Sequence, residues 1–229
     1  MIGIIAAMEE EIDALKSLMT EVKKDDVQNI VFYKGKLEKE DIVLCQSGVG
    51  KVFATIATTV LIQNYHPTYI INIGSAGSLN LNIRVGSVVI PPIVAHHDCD
   101  VPGWPKGFEG SKRAYRADSH LIEIAKNIQD NHTYFVPMVS GDSFICEKSQ
   151  TTKILKDFPE VGCCEMEGAS IAQTATFFDV PFIIIRSISD VTLEDGNEVN
   201  FEEFLKVASV NSAVYCKKFI KEANRYAMV

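Results

Sequence analysis

The chain has 229 residues, of which 47% are hydrophobic and 23% charged, a balance that excludes fibrous, collagen-like and disordered classes. Twenty-two Lys and Arg against thirty Asp and Glu leave a net charge of -8, a poor match to a phosphate backbone, so no nucleic acid partner is expected. No apolar run approaches the ~18 residues of a membrane-spanning helix, and the N-terminus MIGIIAAMEEE lacks a basic leader, so no membrane association and a cytoplasmic location are expected.

Residues 1–7 form an apolar run that stops at Met8 and three glutamates. This is the pattern of a buried strand entering a helix, whose apolar side is Ile12, Leu15, Leu18 and Met19. Strands are predicted over 29–37 and 41–46, with a charged turn at 38–40 between them. Val52, Phe53, Ile56, Val60 and Leu61 give a helical stripe over 51–65, which His66-Pro67 stops. A further strand is predicted over 69–73, ending in Gly74-Ser75-Ala76-Gly77, and others over 87–90 and 92–95. A helix is predicted over 118–129, strands over 134–139 and 161–164, and an apolar helix over 168–178. The buried strand 181–185 and a closing helix over 201–226 complete the pattern. Strands alternate with helices, and the apolar strands lack period-two alternation. A mostly parallel or mixed sheet covered by helices on both faces follows, as one α/β domain over 1–229.

Ligands of open α/β sheets gather beyond the carboxyl ends of the strands. Four predicted strand ends carry polar clusters: Met8-Glu9-Glu10-Glu11, Gly74 to Gly77, Glu165-Met166-Glu167, and Arg186-Ser187-Ile188-Ser189-Asp190. Together they describe a pocket rich in carboxylates with one Gly-Ser loop. Each has a plainer explanation. Acids suit the first turn of a helix through its dipole, which accounts for two of Glu9, Glu10 and Glu11, and for Glu167. Asp190 suits a turn or a cap, and Arg186 a half-buried ion pair.

The glycine-rich segments fail as nucleotide motifs. Around Ser47-Gly48-Val49-Gly50-Lys51, a phosphate loop needs Gly at Cys45 and Ser or Thr at Val52. A dinucleotide fingerprint needs a third glycine at Phe53. His96-His97-Asp98-Cys99-Asp100 lies in a strand-like stretch, where neighbours face opposite sides, so no metal site is expected there. The six cysteines form no C-x-x-C pair and read as free thiols.

Six motifs occur in a specific order: Ala7 to Glu11, Ser47 to Lys51, Asn72 to Gly77, Ser140-Gly141-Asp142-Ser143-Phe144-Ile145, Glu165 to Glu167, and Ser187 to Asp190. From Met1 to about Phe204 the chain resembles the 5′-methylthioadenosine/S-adenosylhomocysteine nucleosidase family of the nucleoside phosphorylase superfamily. The resemblance implies a three-layer αβα sandwich with a central mixed sheet, a homodimer, and neither a metal nor an organic cofactor. It implies hydrolysis of the N-glycosidic bond of 5′-thioadenosines, with 5′-deoxyadenosine as a further substrate. The implied cellular role is methionine salvage and the removal of methyltransferase by-products. By the same resemblance, Glu11 activates water and Asp190 protonates adenine N7, while Ser189 orients Asp190. Glu167 grips the ribose hydroxyls beside Met166, and Ser75 and Arg186 help position the water and the acids. Phe144 stacks on adenine, and the Ile145 backbone reads its edge. Met8, Ala76, Gly77, Glu165 and Phe201 complete the implied substrate contacts.

Glycosidic cleavage through a cationic, oxocarbenium-like state calls for such a set: one carboxyl as acid, another as base, and negative charge near the sugar. Residues 102–110, Pro-Gly-Trp-Pro-Lys-Gly-Phe-Glu-Gly, depart from the family's usual pattern. In the family this region lies at the dimer interface and reaches the partner's 5′-pocket, so Trp104 and Phe108 are expected to complete that pocket. Two other readings compete, a phosphorylase and a non-enzymatic nucleoside binder. Crowded glutamates disfavour phosphate at the first strand end, and a binder needs no paired acid and base.

Overall fold

The first apolar run becomes strand β1 (Ile2–Ala6), buried along its length because helices cover both faces of the sheet. Helix α1 (Glu9–Lys16) follows, then β2 (Thr20–Val27), β3 (Ile30–Leu37), β4 (Glu40–Gln46), α2 (Lys51–Tyr65) and β5 (Ile70–Ser78). The middle of the chain supplies β6 (Val88–Val89), β7 (Ile93–His96), β8 (Ala114–Arg116), α3 (Ser119–Lys126), β9 (Thr133–Tyr134) and β10 (Met138–Ser140). Helix α4 (Lys148–Asp157), β11 (Cys163–Glu165), α5 (Gly168–Phe177), β12 (Phe182–Val191) and α6 (Asn197–Tyr226) complete it. This computed structural model describes residues 1–194 and 197–226. Residues 195–196 and 227–229 of the predicted span lie outside it, as do the side chains of 197–199.

The described strands form one mixed sheet with β1 between β4 and β5. Strands β4, β1, β5 and β12 run parallel. Strands β7, β10 and β11 also run parallel to one another, but β11 meets β5 antiparallel, with Cys163 opposite Ser78 and Cys164 opposite Gly77. The two parallel sets therefore oppose each other, and their carboxyl ends converge where β5 meets β11. One core packs α1, α3 and α6 on one face through Ile12, Leu15, Leu121 and Phe219. A second packs α2 and α5 on the other through Ala54, Leu61, Ala169 and Ala172. The three-layer αβα sandwich is the result.

Several expectations are corrected. Residues 74–77 and 186–190 are not loops beyond strand ends. They continue β5 and β12, which pair as far as Val191 opposite Ser78. Their polar composition marks the lining of a site rather than the end of hydrogen bonding. The first helix stops at Lys16, and Met19 turns into β2, an exposed charged strand that the apolar pattern cannot reveal. Helix α4 escapes for the same reason, since only Thr151 and Ile154 of its ten residues are buried. Strand β8 is too short to show a period, and the closing helix begins at Asn197. Phe108 is buried against Phe158, with ring centroids 5.0 Å apart. That contact places it in the core beneath α4 and corrects its expected place in a partner's pocket. Trp104 is half-buried, with Lys112 over its ring.

Candidate active site

Where the carboxyl ends converge lies a cavity of about 320 Å³. It is lined by Glu11 and Asp190, by Met8, Ser75, Ala76 and Gly77, by Phe144 and Ile145, by Glu165, Met166 and Glu167, and by Arg186, Ser189 and Phe201. The fourteen residues to which the resemblance gives catalytic or substrate-contact roles therefore share one cavity.

Glu11 is the third residue of α1 and differs from its two neighbours. Glu9 and Glu10 face solvent, whereas Glu11 is 1% exposed. Its side chain folds back over the helix start, in the manner of a capping-box acid. Oε2 accepts from the Ala7 and Met8 amides at 2.9 and 3.1 Å, while Oε1 accepts from the Ser75 amide at 3.0 Å and the Ser75 hydroxyl at 3.3 Å. Gly74 makes this approach possible, because a Cβ there would stand 2.7 Å from Glu11 Oε1 and 2.4 Å from Arg186 Nη1.

Asp190 lies on β12, paired with Gly77, two residues beyond Ser75 on β5. A β-bulge at Ser189 places Ile188 opposite Ala76 and Asp190 opposite Gly77, so Ser189 and Asp190 both line the cavity. Asp190 is thus neither a turn nor a cap residue. The Ser189 hydroxyl donates to Asp190 Oδ1 at 2.8 Å, which sets the rotation of the carboxyl group. A Cβ on Gly77 would lie 3.0 Å from Asp190 Oδ2 and 2.7 Å from Thr192 Cγ2, so only glycine fits. The anchors of Glu11 and Asp190 on β5, Ser75 and Gly77, are roughly 7 Å apart at the usual rise of a strand.

Arg186 is fully buried and binds four groups: the Ser75 carbonyl at 3.2 Å, Asn72 Oδ1 at 2.7 Å, Glu165 Oε2, and Glu167 Oε2 at 3.5 Å. The Glu165 carboxylate also accepts from the Ser140 hydroxyl and from the amides of Glu167 and Gly168 at 2.9 and 2.8 Å. Glu165, expected to touch substrate, thus has its carboxylate engaged by the protein, where it holds the start of α5. Glu167 accepts from the Gly50 amide at 2.8 Å. Burial, together with the charge of Glu165, pushes its carboxyl group up to about 8 despite Arg186. Across the cavity, Phe144 and Phe201 meet edge to face with centroids 5.3 Å apart.

Ala7, Val49, Ser143, Cys164 and Thr192 also line the cavity and were not singled out. Four of them adjoin or lie within a quoted motif, so adjacency was the available signal. Thr192 was reachable only through the extension of β12. The histidines of 96–100 diverge: His96 Nε2 meets Gln173 Oε1 at 3.0 Å, while His97 lies against Gly141.

A mixed αβα sandwich with an acid-rich cavity where opposed strand ends meet agrees with the family match, in which the phosphorylase superfamily model covers residues 1–221. A 5′-methylthioadenosine/S-adenosylhomocysteine nucleosidase of Staphylococcus saprophyticus is 43% identical over 228 residues, covering 96% of this chain and 99% of that protein. The nucleosidase of Neisseria meningitidis, solved in complex with methylthio-immucillin-A, superposes with a TM-score of 0.90 at 37% identity, covering 96% of this chain and 98% of the other. A futalosine hydrolase of Helicobacter pylori has the same TM-score, 0.90, at 28% identity, covering 96% and 97%. The chain belongs to the 5′-methylthioadenosine/S-adenosylhomocysteine nucleosidase family of the phosphorylase superfamily.

Proposed function

We propose that the chain hydrolyses the N-glycosidic bond of 5′-methylthioadenosine and S-adenosylhomocysteine, releasing adenine and the 5-thioribose. The carrying observation is the pair of buried carboxylates anchored two residues apart on β5. Glycosidic hydrolysis of this kind pairs a general acid with a base that activates a water on the opposite face of the sugar. Glu11, held by three amides, takes a proton from water as its oxygen bonds to C1′. The weakest of its bonds, from the Ser75 hydroxyl at 3.3 Å, is the one a water displaces. Asp190 delivers a proton to adenine N7 as the C1′–N9 bond breaks, so the base leaves neutral. Glu167 accepts from the ribose hydroxyls and, in its ionised form, faces the developing positive charge. Phe144 and Phe201 give the base an aromatic wall, and Met166 a polarizable one for the sugar. 5′-Deoxyadenosine, with the same base and ribose hydroxyls, is a further substrate on this reading. Methionine salvage and removal of methyltransferase by-products are the matching cellular roles.

Water rather than phosphate is the nucleophile. Among the described residues lining the cavity, Arg186 is the only cation, and its terminal nitrogens already bind four groups of the protein. A phosphate would face Glu11, Glu165, Glu167 and Asp190 without a free cradle. Incubation with methylthioadenosine should release adenine equally with and without phosphate. Release only with phosphate would make the protein a phosphorylase, and no release a binder.

The chain assembles as a homodimer on this reading. One side of α2 exposes Val52, Phe53 and Ile56, at 68%, 61% and 49%, beside Val49 at the cavity. Such an apolar patch marks an interaction surface. Light scattering at micromolar concentration should report a dimer, and Phe53→Asp should shift it toward monomer. A monomeric wild-type chain rejects the assembly. Among the described residues, no helix is long and apolar enough to cross a membrane.

A further inference from the structure

Helix α2 begins at Gly50 without a side-chain cap of its own and without an acid in its first turn. Two of its first amides nonetheless have side-chain acceptors. Gly50 N donates to Glu167 Oε1 at 2.8 Å across 117 residues, and Lys51 N donates to Asp142 Oδ1 at 2.8 Å across 91 residues. The Gly-rich stretch that imitates a phosphate loop is thus an anion-binding helix start filled by two of the protein's own carboxylates. Gly50 has φ +98°, and a Cβ there would lie 3.1 Å from Asp142 Oδ1, so glycine is what lets two successive amides face two acids.

The Asp142 end is tied down further. Lys51 Nζ binds Asp98 Oδ1 and Oδ2 at 2.7 and 2.8 Å and stands 3.8 Å from Asp142 Oδ2. The Asp142 amide donates to Asp98 Oδ2 at 2.9 Å. Beside it, Gly141 packs on His97, and its amide donates to the Glu165 carbonyl at 3.1 Å. Asp142 immediately precedes Ser143, Phe144 and Ile145, all of which line the cavity. One carboxylate therefore joins the start of α2, which holds Glu167, to the loop that forms the wall for the base.

We infer that Asp142, supported by Lys51 and Asp98, is a positioning residue: by capping α2 it holds the Gly50 amide on Glu167 and so sets the grip of Glu167 on the ribose hydroxyls. The inference rests on the ribose role proposed for Glu167. Without the cap, the first turn of α2 frays, the Gly50 amide drifts, and Glu167 loses its only backbone donor among the described contacts.

The test compares hydrolysis of 5′-methylthioadenosine with that of its 2′-deoxy counterpart, which lacks a hydroxyl for Glu167 to hold. Asp142→Ala should lower kcat on the ribo compound roughly tenfold, in line with the sensitivity of rate to small misplacements, and change the 2′-deoxy rate much less. The ribo preference should shrink accordingly, while free adenine still binds within about threefold of wild type. Asp142→Asn, which keeps an oxygen for the Lys51 amide, should recover most of the preference. Lys51→Met, read in the same way, decides the matter if Asp142→Ala fails to fold, and it should shrink the preference less. A folded Asp142→Ala with the wild-type preference overturns the inference. So does an equal fall on both substrates accompanied by a lower Tm, which is a merely structural role. A wild-type chain that releases no adenine from either compound rejects the proposed reaction and this inference with it. A wild-type chain active on both compounds without any ribo preference rejects the ribose role of Glu167 alone, and the inference falls with that role.

Discussion

Asp190→Asn is expected to keep adenine binding and to lose turnover by roughly 10²–10⁴-fold, the usual contribution of general acid catalysis. The substitution is nearly isosteric, so the bulge at Ser189 and the fit against Gly77 can persist. The amide oxygen can still accept from the Ser189 hydroxyl, as Oδ1 does at 2.8 Å. What the amide cannot do is deliver a proton to N7, and without that proton adenine must leave as an anion. Steady-state kinetics on methylthioadenosine, with adenine affinity measured beside it, separates the two effects. Near wild-type turnover in a folded variant would remove Asp190 from the mechanism.

Glu11→Gln should cost roughly 10² or more in turnover, because the amide cannot accept a proton from water. It should also cost stability. Both oxygens of Glu11 are acceptors only, two amides on one and the Ser75 amide and hydroxyl on the other. A glutamine must turn an NH₂ group toward one of these donor pairs, and an unsatisfied buried amide costs about 1–3 kcal/mol. Turnover is therefore to be compared at a temperature where thermal unfolding shows the variant folded. Glu9→Gln and Glu10→Gln, both at exposed positions, should change little in either measurement. If Glu11→Gln hydrolyses normally while one of these is inactive, the base is a different glutamate. Normal turnover in all three variants would place water activation elsewhere.

The chain by itself determined the layered α/β architecture, because long apolar strands without alternation require cover on both faces. It also determined which residues gather at the site, since polar clusters interrupt apolar strands at few places and occur in a specific order. Periodicity failed where burial was absent. Strand β2 is held by backbone pairing with β3, and that pairing leaves no apolar signature. Other decisions belonged to the tertiary structure alone. Glu9, Glu10 and Glu11 are equivalent in sequence, and only the folding of one side chain back onto the Ala7, Met8 and Ser75 amides distinguishes Glu11. Asp190 looks like a turn residue until β12 is seen to continue past it through a bulge. Phe108 looks like an interface aromatic until Phe158 receives it in the core. The anion partners of the glycine-rich helix start come from 91 and 117 residues away. Each of these depends on a contact between distant segments, and local pattern carries the propensity of a segment but not the identity of the group that will meet it.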